Sequence, residues 1–310
     1  MYRGRFAPSP TGRLHFGSLV TALGSWLCAR AAGGTWIVRM EDLDPERTAA
    51  GAAQTILATL HALGLDSDEP VLYQGARGRD YALALRRLAT AGHAYRCWCS
   101  RNDLEAHGGI HPAHCVAPAR DRPPAWRLRT AHAVIDFEDA LQGRVQQDLA
   151  GAVGDFVIWR ADGSAAYQLA VVVDDAAQGI TDVVRGADLL DSTPRQILLQ
   201  RLLGYPTPAY AHLPLALDSG GHKLAKHLAS LPVDRTDPLP ALAAALAFLN
   251  QPVPRATTPA SFLAAALEHF DLTAVPRHNG MAPPFAAARK DEPQSATAQS
   301  LLAPPIPNKE

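Results

Sequence analysis

Short apolar runs alternate with longer stretches of helical spacing in the first ninety residues. Residues 2–7 and 35–40 predict strands, the second with a β-branched centre. Apolar side chains recur every three or four residues in three stretches, which predict three helices. These helices run from about His15 to Ala31, from an opening at residues 41–45 to about Leu63, and from about Arg77 to Ala91. Strand, helix, strand, helix is typical of a parallel sheet with crossover helices.

The alternation stops between residues 97 and 125 and resumes after Gly154. The interrupting stretch holds three of the four cysteines, three histidines and several prolines and glycines, which favours an inserted module held by a metal. The pattern after Gly154 predicts a strand at 155–160, a helix at 166–176, a strand at 180–185 and a helix at 192–203. Ala- and Leu-rich residues at 239–249 and 261–269 predict C-terminal helices.

These patterns predict an α/β protein with an insertion, a small helical region and a polar tail that we expect to be flexible. We expect five parts. They are the first half of the α/β domain (1–96), the metal-binding insertion (97–125), the rest of the insertion with the second half of that domain (126–230), a C-terminal helical region (231–285) and a tail (286–310).

The composition fits a protein with a large core. The chain has 310 residues, 47% of them hydrophobic and 19% charged, with a formal net charge of -1. Near-neutrality argues against a broad, non-specific nucleic-acid binder but leaves room for a local basic groove. No 18-residue apolar run and no charged head followed by an apolar stretch are present, so we expect neither a membrane span nor a signal peptide, and a cytoplasmic location.

The cysteine cluster has the residue types of a metal site. Cys97, Cys99 and Cys115 lie close together in the sequence, whereas a disulfide scaffold would spread its cysteines more evenly. Three thiolates and one imidazole make a closed tetrahedral zinc site. His107, His111 and His114 all compete for the fourth position, and three reduced cysteines without a metal remain the alternative.

Two further segments have the chemistry to bind phosphate. The first runs from Arg5 to Ser18 and leads a strand through a turn into a helix whose first turn holds His15, Gly17 and Ser18. Such a helix start offers free N–H groups and the positive end of a dipole to an anion. The second is the segment 217–227, where Lys223 and Lys226, two of the chain's four lysines, follow a pair of glycines. Together they could close on one triphosphate.

These two segments carry a family resemblance. Residues 15–18 (His-Phe-Gly-Ser) resemble the H-I-G-H signature of class I aminoacyl-tRNA synthetases, and residues 223–227 (Lys-Leu-Ala-Lys-His) resemble its K-M-S-K-S signature. Residues 6–12, 38–44, 167–175 and 179–186 are similar to words of the glutamyl branch, so the resemblance covers about residues 2–230. Ala225 and His227 replace the serines of the second signature, and some loop-to-phosphate hydrogen bonds should therefore be missing.

The resemblance implies a Rossmann-type catalytic domain that uses ATP with Mg²⁺. It implies that His15 and Lys226 are catalytic, and that ATP is bound by His15, Gly17, Ser18, Lys223 and Lys226. A glutamate substrate needs arginines for its carboxylates and a carboxylate for its ammonium, which Arg5, Arg185 and Glu41 supply. In the family Ser9 and Tyr167 also contact the amino acid. The fourth zinc ligand of the short members stands four residues before the last cysteine, which selects His111.

Only about 60 residues of foldable sequence follow Lys226, too few for a helical anticodon-binding domain. The shortened form resembles the glutamyl-Q tRNA(Asp) synthetases, which activate glutamate without tRNA and attach it to queuosine in the anticodon of tRNA(Asp). We expect this activity in a monomer. The alternatives are a truncated glutamyl-tRNA synthetase that charges tRNA(Glu), a zinc-bearing RNA-binding module without catalysis, and a generic nucleotidyltransferase acting on a small acid.

Overall fold

The computed structural model describes residues 1–216, 233, 235–277 and 280–281. The strands are β1 (Arg3–Phe6), β2 (Thr35–Met40), β3 (Leu72–Tyr73), β4 (Ala94–Cys97), β5 (Ala125–Leu128), β6 (Val134–Asp139), β7 (Gly143–Asp148), β8 (Phe156–Trp159), β9 (Asp182–Gly186), β10 (Ala209–Leu213), β11 (Leu215–Ala216) and β12 (Gly280–Met281). The helices are α1 (Phe16–Ala31), α2 (Ala52–Ala62), α3 (Gly78–Thr90), α4 (Leu149–Ala152), α5 (Tyr167–Ala177), α6 (Thr193–Leu203), α7 (Leu239–Phe248) and α8 (Pro259–Glu268).

A seven-stranded sheet organises the chain, with the strand order β3-β2-β1-β9-β10-β6-β7. Every neighbouring pair from β3 to β6 is parallel, and only β7 runs antiparallel, as a hairpin with β6. The parallel α/β sheet expected from the alternating pattern is therefore confirmed. The N-terminal strand β1 lies near the middle of the sheet, so the ends of strands that are far apart in sequence meet at one edge.

A second, antiparallel sheet of order β4-β5-β8 carries the stretch that interrupts the alternating pattern. Residues 98–124 connect β4 to β5, and the β6–β7 hairpin connects β5 back towards β8. The small sheet thus uses strands on both sides of the cysteine-rich stretch.

Apolar side chains fill both faces of the main sheet. One core joins α1, α2, α7 and α8 to the sheet, and the other joins α3, α5 and α6 to the opposite face. Phe16 of α1 meets Phe248 of α7 edge to face, with ring centroids 5.7 Å apart. The C-terminal helices therefore complete the first core. No helix in the described part of the chain combines the length and the apolar composition needed to cross a membrane.

The second helix begins later than the sequence predicts. The acidic stretch at 41–45 is typical of a helical first turn, but α2 begins only at Ala52, after Gly51 in a left-handed conformation (φ 72°). Tertiary partners occupy the intervening residues: Asp42 accepts a hydrogen bond from the Gly75 N–H at 2.7 Å, and Ala49 donates to the Pro10 carbonyl. The predicted opening of this helix at 41–45 is wrong because these contacts replace the helical hydrogen bonds.

Two adjacent glycines between α1 and β2 are required for different reasons. A Cβ atom on Gly34 would lie 2.5 Å from the Tyr2 carbonyl oxygen, whereas one on Gly33 would meet no described atom within 4 Å. Gly33 instead has a left-handed conformation, with φ 60°. We predict that Gly34→Ala lowers the free energy of unfolding by about 3 kcal/mol, since β1 and β2 must move apart.

The matched control is Gly33→Ala, which should cost only about 1 kcal/mol of backbone strain. Urea denaturation of both variants measures the difference. Equal losses of stability would contradict the packing account of Gly34.

Candidate functional site

The start of α1 lies in a corner at the carboxyl end of β1 and has the features of an anion site. His15 caps the helix in an extended conformation, and its side chain accepts from the Ser18 N–H at 3.4 Å. The first turn contains no acidic residue, so the positive end of the helix is not neutralised from within. A Cβ on Gly17 would meet, among the described atoms, only the His15 ring at 3.7 Å. The backbone there is accessible to a ligand.

A buried ion network lies beside this corner. Asp175 of α5 binds Arg5 of β1 with both oxygens, at 3.1 and 3.2 Å, and accepts from Nη1 of Arg39 on β2 at 2.8 Å. Burial alone would raise the pKa of Asp175, but the two arginines lower it, so the group stays ionised. The network holds Arg5 in a single orientation.

Glu41 continues the network just beyond the end of β2. Its Oε1 lies 3.4 Å from Nη2 of Arg39, and its side chain is almost completely buried. Burial raises the pKa of Glu41, against the opposing influence of Arg39 and Arg5. A substrate ammonium would lower this pKa and complete the pairing of the carboxylate.

Tyr167 faces the same charges from the first turn of α5. Burial raises its pKa, the carboxylates of Glu41 and Asp175 raise it further, and the guanidinium groups of Arg185 and Arg5 lower it. The predicted residues Arg5, Glu41, Tyr167 and Arg185 therefore lie within electrostatic range of one another. Ser9 is exposed in the loop after β1, where its carbonyl accepts from the Thr11 N–H at 2.8 Å.

Arg185 differs from Arg5 because its hydrogen-bonded partners are neutral. The residue is 4% exposed, its Nε donates to Nε2 of His212 at 3.0 Å, and its Nη2 donates to the Thr193 hydroxyl at 2.8 Å. Its Nη1 is buried and has no hydrogen-bond partner among the described residues. A buried guanidinium without a bonded carboxylate is costly, and an anionic ligand would offset that cost.

Sequence analysis did not assign roles to Arg39 and Asp175. Both could have been suspected because they are charged residues within apolar runs, Ile37–Met40 and Val171–Asp175. The loop with Lys223, Ala225, Lys226 and His227 lies outside the described residues, as does the predicted tail.

The second cluster of reactive groups lies on the small antiparallel sheet. One ligand atom from each of Cys97, Cys99, His111 and Cys115 falls within 4.8 Å of the other three. Sγ of Cys97 and Nε2 of His111 are 3.2 Å apart, which suits two ligands on one ion at metal–ligand distances of about 2.0 to 2.3 Å. His107 and His114 are exposed and do not belong to the cluster.

His111 presents the correct nitrogen to the cysteines. Its Nδ1 lies 2.6 Å from the Pro112 carbonyl oxygen, an acceptor that places the ring proton on Nδ1 and leaves the Nε2 lone pair free for a metal. The Tyr95 hydroxyl lies 3.3 Å from the same Nδ1 and donates to Asp155 at 2.8 Å. Pro112 and Tyr95 thus hold the orientation of the His111 ring from the side away from the cysteines.

A glycine brings the histidine backbone into place. Gly154 has φ 68° and pairs with His111, and a Cβ on it would lie 2.1 Å from the His111 carbonyl oxygen. Only glycine permits this approach. The contact joins the cysteine-rich stretch to the start of β8.

The electrostatics of the thiols fit a cation. Burial, followed by the neighbouring Cys97 and Cys99, raises the pKa of Cys115 to about 12. The pKa of Cys99 is lowered despite its burial, by backbone N–H groups of Ala117 and Val116 and by the other two cysteines. Three crowded sulfurs cannot all be thiolates without a compensating charge, and a divalent ion supplies it.

Comparison with known proteins places the chain among tRNA synthetases. Residues 1–125 and 117–238 match the family described as tRNA synthetases class I (E and Q), catalytic domain. A glutamyl-Q tRNA(Asp) synthetase from Xanthomonas oryzae pv. oryzae is 58% identical over 280 residues, which cover 89% of this chain and 93% of that protein. One from Burkholderia cenocepacia is 56% identical over 262 residues, covering 80% and 88%.

A solved structure has the same fold. The glutamate–tRNA synthetase from Elizabethkingia anophelis superposes with a TM-score of 0.76 at 25% identity, covering 91% of this chain and 68% of that one.

We predict that His111→Ala lowers the bound metal from about one ion per chain to a small fraction of that value, because a four-ligand site loses its imidazole. The melting temperature should fall with it. The matched control is the exposed His114→Ala, which should keep its metal. Atomic absorption on the purified, dialysed proteins measures both, and equal metal content in the two variants would contradict the assignment of His111.

Proposed function

Because the chain belongs to the class I tRNA synthetases for glutamate and glutamine, and within them to the glutamyl-Q tRNA(Asp) synthetase family, we propose that it activates L-glutamate with ATP in the absence of tRNA. The glutamyl group then passes to queuosine in the anticodon of tRNA(Asp). The protein is thus a ligase. We expect it to act as a monomer in the cytoplasm, where ATP and tRNA are available.

The charge of Arg185 is the observation that carries this proposal. The guanidinium is buried and its bonded partners are neutral. Within the part of the chain that the structure describes, its Nη1 has no partner, as a site prepared for a carboxylate requires. Arg5 adds a second positive group, and Glu41 offers a carboxylate to the ammonium. The two guanidinium groups suit the carboxylates of glutamate and Glu41 suits its ammonium, while Arg5 also remains paired with Asp175.

The reaction needs no covalent bond to the protein. A carboxylate oxygen of glutamate attacks the α-phosphorus of ATP, the bond to pyrophosphate breaks, and glutamyl-adenylate forms. A hydroxyl of the acceptor then attacks the acyl carbon, gives up its proton and displaces AMP. The barrier falls through positioning and through stabilisation of charge on the phosphoryl group.

The start of α1 supplies groups for the nucleotide. His15, Gly17 and Ser18 stand at the positive end of the helix, where phosphate oxygens meet N–H donors. We assign Lys223 and Lys226 to the triphosphate from the sequence, with Lys226 and His15 stabilising the transition state. Mg²⁺ enters as part of the ATP substrate and neutralises phosphate charge.

The metal of the small sheet is, in this proposal, zinc. Cys97, Cys99, His111 and Cys115 would hold it, and three thiolates with one imidazole are typical of structural zinc. Four protein ligands leave no position for substrate. The ion therefore stabilises the insertion rather than the reacting atoms.

The acceptor is proposed from the relatives. The alignment covers 93% of the Xanthomonas protein, whose name specifies tRNA(Asp), but only 68% of the glutamate–tRNA synthetase. The decisive experiment offers labelled glutamate to tRNA(Asp) with and without queuosine and to tRNA(Glu). We expect label only on queuosine-containing tRNA(Asp).

The other outcomes separate the competing functions. Label at the 3′ end of tRNA(Glu) would identify a charging enzyme, and an absence of any glutamate-dependent pyrophosphate exchange would favour an RNA-binding module. Periodate treatment after the reaction locates the ester, because periodate oxidises only diols that are not acylated.

We predict that Lys226→Ala lowers glutamate-dependent pyrophosphate exchange at least tenfold, equivalent to about 1.4 kcal/mol of transition-state stabilisation. The matched control, Lys290→Ala, removes a lysine from the C-terminal tail and should exchange normally. Near-normal exchange by Lys226→Ala would show that this lysine is not a catalytic residue.

A further inference from the structure

Three buried polar residues form a line across the adjacent strands β6, β10 and β9. Asp139 ends β6, His212 lies on β10 and Arg185 lies on β9, and none is more than 4% exposed. His212 and Arg185 are direct partners in the strand register. Oδ2 of Asp139 lies 2.6 Å from Nδ1 of His212, and Nε of Arg185 lies 3.0 Å from Nε2 of the same ring.

The two oxygens of Asp139 have separate partners. Oδ1 accepts from the backbone N–H groups of Leu141, Gln142 and His212, at 3.0, 2.9 and 3.2 Å. Oδ2 is left for the imidazole. Burial would raise the pKa of Asp139, but the His212 ring and the backbone donors lower it, so the carboxylate stays ionised. An ionised Oδ2 can only accept, which places a proton on Nδ1 of His212.

This proton fixes the state of the ring. Burial lowers the pKa of His212, and the nearby guanidinium of Arg185 lowers it further against the opposing pull of Asp139. The imidazole is therefore neutral, with its proton on Nδ1 and a lone pair on Nε2. The lone pair accepts from Nε of Arg185, whose Nη2 binds Thr193.

We propose that Asp139 and His212 are positioning residues for Arg185: the aspartate selects the imidazole tautomer whose Nε2 accepts from the arginine, and this aims the free Nη1 at a substrate carboxylate. The inference rests on the proposed function and deepens it. Its consequence is that glutamate recognition depends on a carboxylate that does not touch the substrate and belongs to the β6–β7 hairpin.

Asp139→Asn tests this directly. Oδ1 must keep its three backbone donors, so the new amide nitrogen has to face Nδ1 of His212. The amide donates where the carboxylate accepted, the ring proton moves to Nε2, and two donors then oppose each other between His212 and Arg185. The same inversion of a histidine tautomer occurs when the aspartate of a serine-protease triad becomes asparagine.

Two measurements on the full chain read out the change. In protein labelled with ¹⁵N-histidine, we expect the His212 resonances to change from the Nδ1–H to the Nε2–H tautomer. In pyrophosphate exchange we expect the KM for glutamate to rise at least tenfold while the KM for ATP stays within twofold. Gln142→Ala is the matched control, because it removes a 2.8 Å bond from the same turn to the His212 carbonyl and leaves the line intact.

A second pair of variants, both at His212, tests the proposal if Asp139→Asn folds poorly. His212→Gln keeps an acceptor near the position of Nε2 and should retain the glutamate KM within threefold, whereas His212→Leu should raise it at least tenfold. A changed tautomer with an unchanged KM for glutamate would overturn the proposal. An unchanged tautomer in Asp139→Asn would also overturn it, as would equal rises in the KM values for glutamate and ATP. Equal KM values for glutamate in His212→Gln and His212→Leu would have the same meaning.

Failure of the proposed function is a separate result. If the unsubstituted protein neither binds nor activates glutamate, the substrate assignment of Arg185 falls with that function, and the tautomer measurement still tests the line from Asp139. If the unsubstituted protein activates glutamate normally and Asp139→Asn does so too, only the positioning role is wrong.

Discussion

The ion network around Asp175 is the interaction on which the packing of β1, β2 and α5 depends. One carboxylate of α5 binds Arg5 of β1 and Arg39 of β2, so a helix and two strands meet at a single buried charge. Removing one partner of such a buried pair generally costs about 3 to 5 kcal/mol, since the other charge remains without compensation. The same contacts orient Arg5 and, through Arg39, Glu41. The same bonds therefore contribute to stability and fix the candidate glutamate-binding residues Arg5 and Glu41.

Sequence reasoning succeeded where the controlling interactions are local. The helix expected from about His15 to Ala31 is observed at Phe16–Ala31, because its capping and apolar spacing lie within the segment. It failed at the start of α2, where Asp42 binds a backbone group 33 residues away. The line from Asp139 to His212 spans 73 residues and gave no local signal. The choice among three histidines likewise needed the resemblance, since spacing alone left them equivalent.

A short piece of chain links the cluster of possible metal ligands to Tyr167. Gly154 contacts the His111 backbone, β8 follows at Phe156–Trp159, and a bridge between Trp159 and Ala165 leads to Tyr167 at the start of α5. An ion that orders the cysteine-rich stretch therefore also restrains the strand that precedes the tyrosine. Backbone contacts therefore join the insertion to the main domain along this path.

The central place of β1 has a consequence for synthesis on the ribosome. Its two neighbours in the sheet are β2 and β9, and β9 in turn needs β10, whose last residue is Leu213. At about 5 to 20 residues per second, the ribosome needs roughly ten seconds or more after completing β1 to supply these partners. Until then β1 lacks β9, and Arg5 lacks the carboxylate of Asp175. The centre of the main sheet therefore closes only late in translation.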